Sequence, residues 1–328
     1  MCRRIWIVLL ITFSYAPVWA QVDAHFTQYY AHPLWLNPAM TGVNDGDYRV
    51  GANYRYQWPS INAPFITKGV SADMRLSDRW GIGVNLLNQV AKDAGYYYNN
   101  GYLSISYRVP LTEYHILSGG FQIGVLNRGI DIGKFQFGNQ YNPIIGYDPG
   151  MPNNELFLRQ TATSLDGSIG LMYFDATPDK NFNLFFGASL YHPNQPDNRF
   201  LSGAENSKVP MRYAIHGGVR LSMGDRAELV PHAVYLRQGD ASEITGGVLM
   251  NYTLSDDKAL MTGATWRMND AVAPQLGLHV NGLTIGFSYD INISRLKTAS
   301  SYQGGYELSV SFTGRKKLSD LKFVCPKL

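Results

Sequence analysis

The sequence predicts an all-β chain, a transmembrane antiparallel up-and-down β-barrel of about 14 strands with an N-terminal plug-like segment and a short periplasmic C-terminal tail. Three observations carry this expectation. Short segments alternate between apolar and polar residues from Tyr48 to Thr313, very short turns take turns with longer loops, and the body of the chain lacks a long apolar run.

The alternation is clearest near the C-terminus. Leu283, Ile285, Phe287, Tyr289, Ile291 and Ile293 interleave with Thr284, Gly286, Ser288, Asp290 and Asn292. Successive side chains of a strand point to opposite faces, so one face here is apolar and the other small or polar. Tyr306 to Phe312 and Leu103 to Val109 repeat the pattern. Fourteen such segments follow one another, at 48–56, 65–76, 80–90, 98–108, 115–127, 161–174, 182–191, 211–222, 227–237, 243–254, 259–268, 272–280, 283–293 and 305–313. An even count returns both ends of the barrel to one side.

The connections separate barrel from sandwich. After even-numbered segments stand compact turns rich in Asp, Asn, Pro and Gly, among them Ser77-Asp78-Arg79, Ser255 to Lys258 and Asn281-Gly282. The last fits a two-residue hairpin. After odd-numbered segments stand 57–64, 129–160, 192–210 and 294–303, with some shorter members. Outer-membrane barrels sort their connections in this way, and a sandwich has no reason to. The 129–160 loop, which carries Phe135, Phe137, Tyr141 and Tyr147, is long enough to constrict a pore or to stand outside as a docking surface.

Composition agrees. The 328 residues are 45% hydrophobic, with 33 glycines and 22 tyrosines. The mean hydropathy of −0.17, together with the lack of a long apolar run in the mature part, excludes a bundle of helices each needing about 20 apolar residues. A net charge of +3 gives no support for nucleic-acid binding. Residues 1–20 read as a signal peptide, with Arg3 and Arg4, an apolar stretch from Ile5 to Phe13, and Val18 and Ala20 before a cut at Gln21. Cys2 leaves with it, so Cys325 remains as the lone thiol and an internal disulfide is impossible.

Chemistry of other kinds is weakly represented. His25, His32, His115, His192, His216, His232 and His279 have no metal-ligand spacing, and the chain has no nucleophile elbow, P-loop or dinucleotide fingerprint. No catalytic residue, metal or cofactor is expected. His216 falls on the small-residue face and should point into the lumen. Arg49, Arg55, Arg75, Arg108, Arg220 and Arg237 lie inside strands, so they should face the lumen or reach an interface. There they either make a basic interior or pair with acids such as Asp73, Asp166 and Glu243, the arrangement favoured here.

Two further segments flank the barrel (48–313). Residues 21–47 carry too many aromatics for a solvated linker. Phe26, Tyr29, Tyr30, Leu34, Trp35 and Leu36 should be buried, most simply in the periplasmic mouth, with Asn37-Pro38 ending any short helix. Residues 314–328, GRKKLSDLKFVCPKL, form a basic periplasmic tail with an apolar patch at Leu321, Phe323 and Val324.

HFTQYYAHPLWLNPAMTG (His25 to Gly42), GGYELSVSF (Gly304 to Phe312) and the Cys-Pro-Lys-Leu ending together resemble the PorP/SprF family of type IX secretion system outer-membrane proteins of Bacteroidota. Phe26, Gln28, Tyr29, Pro33, Asn37, Pro38, Ala39 and Gly42 match its N-terminal pattern, and Cys325 and Pro326 its tail. Lys327 and Leu328 stand where Arg and Phe are common. The resemblance implies a non-enzymatic barrel in the outer membrane of a Gram-negative bacterium, serving protein secretion, surface display of an adhesin or gliding motility. Its implied partners are outer-membrane lipid, periplasmic lipoprotein and peptidoglycan-binding secretion components, and a large secreted surface protein. The alternative is a transport channel resembling the fatty-acid transporter barrels, whose plugs carry an Asn-Pro-Ala element comparable to Asn37-Pro38-Ala39.

Overall fold

A computed structural model describes residues 23–61, 63–91, 93–200 and 207–315. The expected signal peptide with Cys2, and the tail residues Leu321, Phe323, Val324, Cys325 and Pro326, lie outside the described residues.

Sixteen strands are present among the described residues. They are β1 (Tyr48–Gln57), β2 (Phe65–Arg75), β3 (Trp80–Ala91), β4 (Tyr96–Pro110), β5 (His115–Ile130), β6 (Tyr141–Asn142), β7 (Gly146–Tyr147) and β8 (Thr161–Asp175), followed by β9 (Phe182–Tyr191), β10 (Arg212–Met223), β11 (Ala227–Gln238), β12 (Ala241–Ser255), β13 (Lys258–Arg267), β14 (Ala271–Val280), β15 (Leu283–Asn292) and β16 (Gln303–Gly314). All but the small β6–β7 hairpin join one closed barrel of antiparallel neighbours, sealed where β1 pairs with β16 from Tyr48↔Gly314 to Gln57↔Gly305. Closure leaves no backbone edge unpaired around the ring, which lipid demands because it offers no hydrogen bonds.

Burial is inverted relative to a water-soluble domain. Leu103 is 67% exposed beside Ser104 at 5%, and Leu165 is 70% exposed beside Asp166 at 3%. The apolar face of each strand looks outward and the polar face inward, as a barrel set in lipid requires. The buried apolar residues lie inside, between the wall and residues 23–47. One cluster joins Tyr29, Tyr30, Leu36, Ala39, Met40 and Val43 to wall residues such as Met172, Phe174, Phe185 and Val234. A second joins Ala24, Phe26 and Trp35 to wall residues such as Leu87, Tyr98, Tyr102 and Leu126.

Connections at one end are compact, from the two-residue Asn281-Gly282 turn, where both residues have positive φ (50° and 83°), to 176–181. This is called the short-turn end. The other, the long-loop end, carries 58–64, 131–160, 192–211 and 293–302, but also the brief 92–95, 239–240 and 268–270 connections. Within 131–160, the rings of Phe135, Phe137 and Phe157 pack about 6 Å apart, and Ile144, at the tip of the β6–β7 hairpin, is 92% exposed. Of the two expectations for this loop, the surface feature is the one observed.

Candidate functional site: the plug and its seat

Residues 23–47 thread the lumen from end to end. Asp23 lies level with the long-loop ends of the strands, where its backbone N–H donates to Oε1 of Gln238 (3.0 Å). At the short-turn end a Cβ on Gly46 would come within 2.4 Å of the carbonyl oxygen of Gly314. The segment expected in the mouth of the barrel therefore extends well beyond it. Phe26, Tyr29, Tyr30, Leu34, Trp35 and Leu36 are all buried.

The middle of the plug is built on shape. Pro33 opens a single α-helical turn, Pro33–Leu36, in a position where its missing N–H costs nothing. Asn37 ends the turn with extended backbone, and Pro38 starts a 3-10 turn over Pro38–Met40. The fully buried Asn37 amide works in two directions. Its Oδ1 accepts from the N–H of Ala39 (2.9 Å), while Nδ2 donates to the carbonyl of Leu171 (3.0 Å) and lies 3.1 Å from Nε2 of His216. His216 thus does face inward, as its position on the small-residue face indicates. Two glycines of the wall lie directly against this stretch. A Cβ on Gly120 would lie 2.3 Å from the nitrogen of Ala39, and one on Gly170 would lie 2.0 Å from Oδ1 of Asn37. Around this seat, wall side chains donate to plug carbonyls: Ser118 to Ala39 (2.7 Å), Gln122 to Leu34 (2.9 Å), Ser189 to Leu36 (2.8 Å) and Ser106 to Thr41 (2.6 Å). Gly42, at φ +69°, turns the chain so that its N–H donates to Oδ2 of Asp73 (2.7 Å).

Charge holds the flanks. The carboxylate of Glu307 accepts both the Thr27 N–H (2.7 Å) and the Gln28 N–H (3.0 Å). Asp290 sits between the guanidinium groups of Arg55 (2.7 Å) and Arg267 (2.6 Å) and accepts from Oγ1 of Thr27 (2.7 Å). Two nearly solvent-free acids face two nearly solvent-free arginines, and the partly exposed Asp270 adds a further contact to Arg267 (2.5 Å), so each buried charge is paired, the condition under which it is tolerated. At the long-loop end, His192 bridges Asp166 (2.5 Å from Nδ1) and Asp23 (2.7 Å from Nε2). Burial alone would lower the His192 pKa, but the charge of Asp23 and the hydrogen bonds to both carboxylates raise it to about 9. For Asp23, burial raises the pKa, yet the opposing His192, Arg212 and Arg128 hold its carboxyl well below the usual range. Arg212 stacks between the rings of Trp35 (4.5 Å) and Tyr191 (4.4 Å) and donates to the carbonyl of Trp35 (2.7 Å).

The strand arginines divide. Arg49 pairs with Asp73 (2.9 Å), Arg55 joins the cluster above, and Arg75 and Arg108 donate to plug carbonyls at Asn44 (2.8 Å) and Gly42 (3.0 Å). Arg220 also faces inward, while Arg237 is exposed at the long-loop end of β11, where it donates to the carbonyl of Gly239. Of the expected acid partners, Asp73 meets an arginine, and Asp166 is held by His192 and the hydroxyl of Tyr102.

Every matched residue of the N-terminal motif lies in the plug. Phe26 packs on His32 (5.2 Å between rings), Gln28 accepts from Oγ of Ser309 (2.8 Å), and the Tyr29 hydroxyl bonds to Nδ1 of His232. Cys325 and Pro326 are outside the described residues. Asp23, Asp166, His192, Arg212, Arg267, Asp290 and Glu307 were not singled out as one site by the sequence. The strand members among them carried only inward parity, shared with many other residues, and Asp23 and His192, which lie outside the strands, carried no such signal. Among the described residues no three His, Cys, Asp or Glu side chains are arranged to hold a metal ion.

The middle of the plug packs on β3, β4, β5 and β8, and a cavity of about 630 Å³, open at the short-turn end, lies beside the plug along β11 to β16. Tyr29 and Tyr30 form its floor, and Leu249, Met261 and Gln275 stand on its side.

A closed 14-stranded ring with lipid-ready outer faces and a lumen filled by its own N-terminal segment defines a plugged membrane β-barrel. Residues 18–312 match the family described as type IX secretion system membrane protein PorP/SprF, and the chain belongs to that family. No curated protein matches it. Among solved structures, the toluene transporter TbuX of Ralstonia pickettii is similar at 12% identity over 86% of this chain and 92% of that chain, with a TM-score of 0.50. A monoaromatic hydrocarbon channel, the TodX deltaS2S3 mutant, is similar at 10% identity over 86% and 94%, with a TM-score of 0.52. At such identities the likeness is one of fold.

Proposed function

We propose that this barrel is a non-enzymatic outer-membrane component of type IX secretion that works through its two end surfaces and not through its lumen. The observation that carries this is the plug, tied to the wall along its length by buried hydrogen bonds and ion pairs. Short turns face the periplasm in barrels of this kind, so the short-turn end and basic tail meet periplasmic lipoprotein and peptidoglycan-binding components. The long loops, with the exposed β6–β7 hairpin, meet a large secreted surface protein of the adhesin or gliding type. Bacteroidota are the hosts this implies. Deleting the gene should abolish secretion or display of such a protein, and unchanged secretion, display and surface motility would sink the proposal.

A transport channel is the second reading, favoured by the cavity of about 630 Å³ and by a fold shared with toluene transporter barrels. Planar bilayers separate the two. A silent protein supports the scaffold, and steady conductance or uptake of an apolar ligand supports the channel.

A further inference from the structure

The cavity beside the plug has an acidic rim, and two polar atoms on its walls lack a partner. Its lining holds five acids, among them the exposed Asp225, Asp256 and Asp257, against the three arginines Arg49, Arg226 and Arg315. Nε2 of His232 and Oδ1 of Asn251, both in the lining, have no hydrogen-bond partner among the described residues. Buried polar atoms without partners are costly, and a pocket of this size with both apolar and polar lining is suited to an occupant.

Arg315 sits at the rim, with its Nε donating to the carbonyl of Asp45 (3.1 Å), and the sequence continues from it through Lys316 to Leu328. That stretch carries Lys316, Lys317, Lys322 and Lys327 against the single Asp320, with Leu318, Leu321, Phe323 and Val324 among them. Its charge is opposite to that of the rim, and its apolar residues suit Tyr29, Tyr30, Leu249 and Met261 inside. Ten residues separate Arg315 from Cys325, a reach of roughly 33 Å when extended. We propose that the C-terminal segment 316–328 returns into this cavity, seating Leu321, Phe323 and Val324 against the plug while its lysines pair with the acidic rim. This goes beyond the secretion role and stands or falls separately from it.

The test uses Cys325, the only cysteine after position 2, in the full-length protein in native membranes. Met261→Cys and Asn251→Cys, on the cavity wall, are each oxidised with copper phenanthroline and read by mass spectrometry of the bridged peptides. Tethering alone supplies an effective concentration of about millimolar. Glu113→Cys, exposed in the turn before β5 on the opposite side, is the control for it. Docking predicts that a wall position bridges to Cys325 at least about tenfold faster than the control, a ratio that tethering at comparable concentration does not produce, and that Phe323→Glu removes the difference. Equal rates, bridging of Cys325 to another protein in place of the wall, or a difference that survives Phe323→Glu would each overturn the proposal. Should Met261→Cys fail to assemble, Asn251→Cys decides alone.

Discussion

The plug is held in two physically different ways, and the contrast between its middle and its flanks separates shape from charge. At Asn37 and Pro38 the wall supplies bare backbone at Gly120 and Gly170, and the fit is steric. At Asp23, and again at Thr27 and Gln28, it supplies fully buried ionised groups. A steric fit is insensitive to pH and salt and fails when volume is added. A charged fit fails when one partner is removed or titrated. The plug combines both, so its flanks can loosen while its middle stays seated.

The largest effect is expected from the cluster around Asp290. Asp290→Ala leaves the buried guanidinium groups of Arg55 and Arg267 without the carboxylate they share, and breaking a buried pair in this way costs about 3–5 kcal/mol. The urea midpoint of the barrel refolded in phospholipid vesicles should fall accordingly. A change below about 1 kcal/mol would mean that water reaches the cluster and that the flanks are not held by buried charge.

Next comes the seat. Gly120→Val places atoms where the Pro38 and Ala39 backbone now lies, with the first of them 2.3 Å from the Ala39 nitrogen. Overpacking of this kind costs about 1–3 kcal/mol, and a backbone neighbour cannot rotate away. The expected result is a barrel that still closes but whose residues around Asn37 become open to protease. A plug as resistant as the wild type would contradict a steric seat.

The barrel wall was far more legible in the sequence than this site. Lipid outside and a packed lumen inside impose a period of two, so every one of the fourteen segments appears as a barrel strand, most with ends shifted by only one or two residues. Pro231 and Pro274 lie inside β11 and β14, where a general rule disfavours them. The ladders accommodate them by breaking, between Gly218 and Leu221 toward β11 and between Val272 and Gln275 toward β15. Aromatic density foretold that Phe26 to Leu36 would be buried. It did not foretell the depth, because alternation says which side chains face inward and nothing about what runs past them. Asp23 and His192 are 169 positions apart, and Glu307 is 280 from Thr27. Parity placed Glu307 in the lumen and said nothing of Asp23, Thr27 or His192, and only the closed ring brings them together.

The contrast is sharpest, though smallest in size, in its pH dependence. The folded pKa of His192, raised from 6.5 to about 9, means that its contribution to stability is fully present below about pH 6.5 and is lost as pH rises through about 9. The depressed Asp23 acts at the other limit, contributing above its ordinary value near 4 and losing that contribution only as the pH falls further. Between these limits the pair of His192 and Asp23, which latches the plug at the long-loop end, is ionised on both sides. His192→Gln should therefore lower the thermal midpoint at pH 7, by an amount equivalent to about 2 kcal/mol, and match the wild type near pH 10. Gly120→Ala, which disturbs only the steric seat, should show a deficit that stays flat across the same range. If the His192→Gln deficit persists undiminished at pH 10, the histidine acts by packing alone. If the Gly120→Ala deficit also fades with rising pH, the seat and the latch form one cooperative unit, and the division between shape and charge drawn from their geometry does not hold.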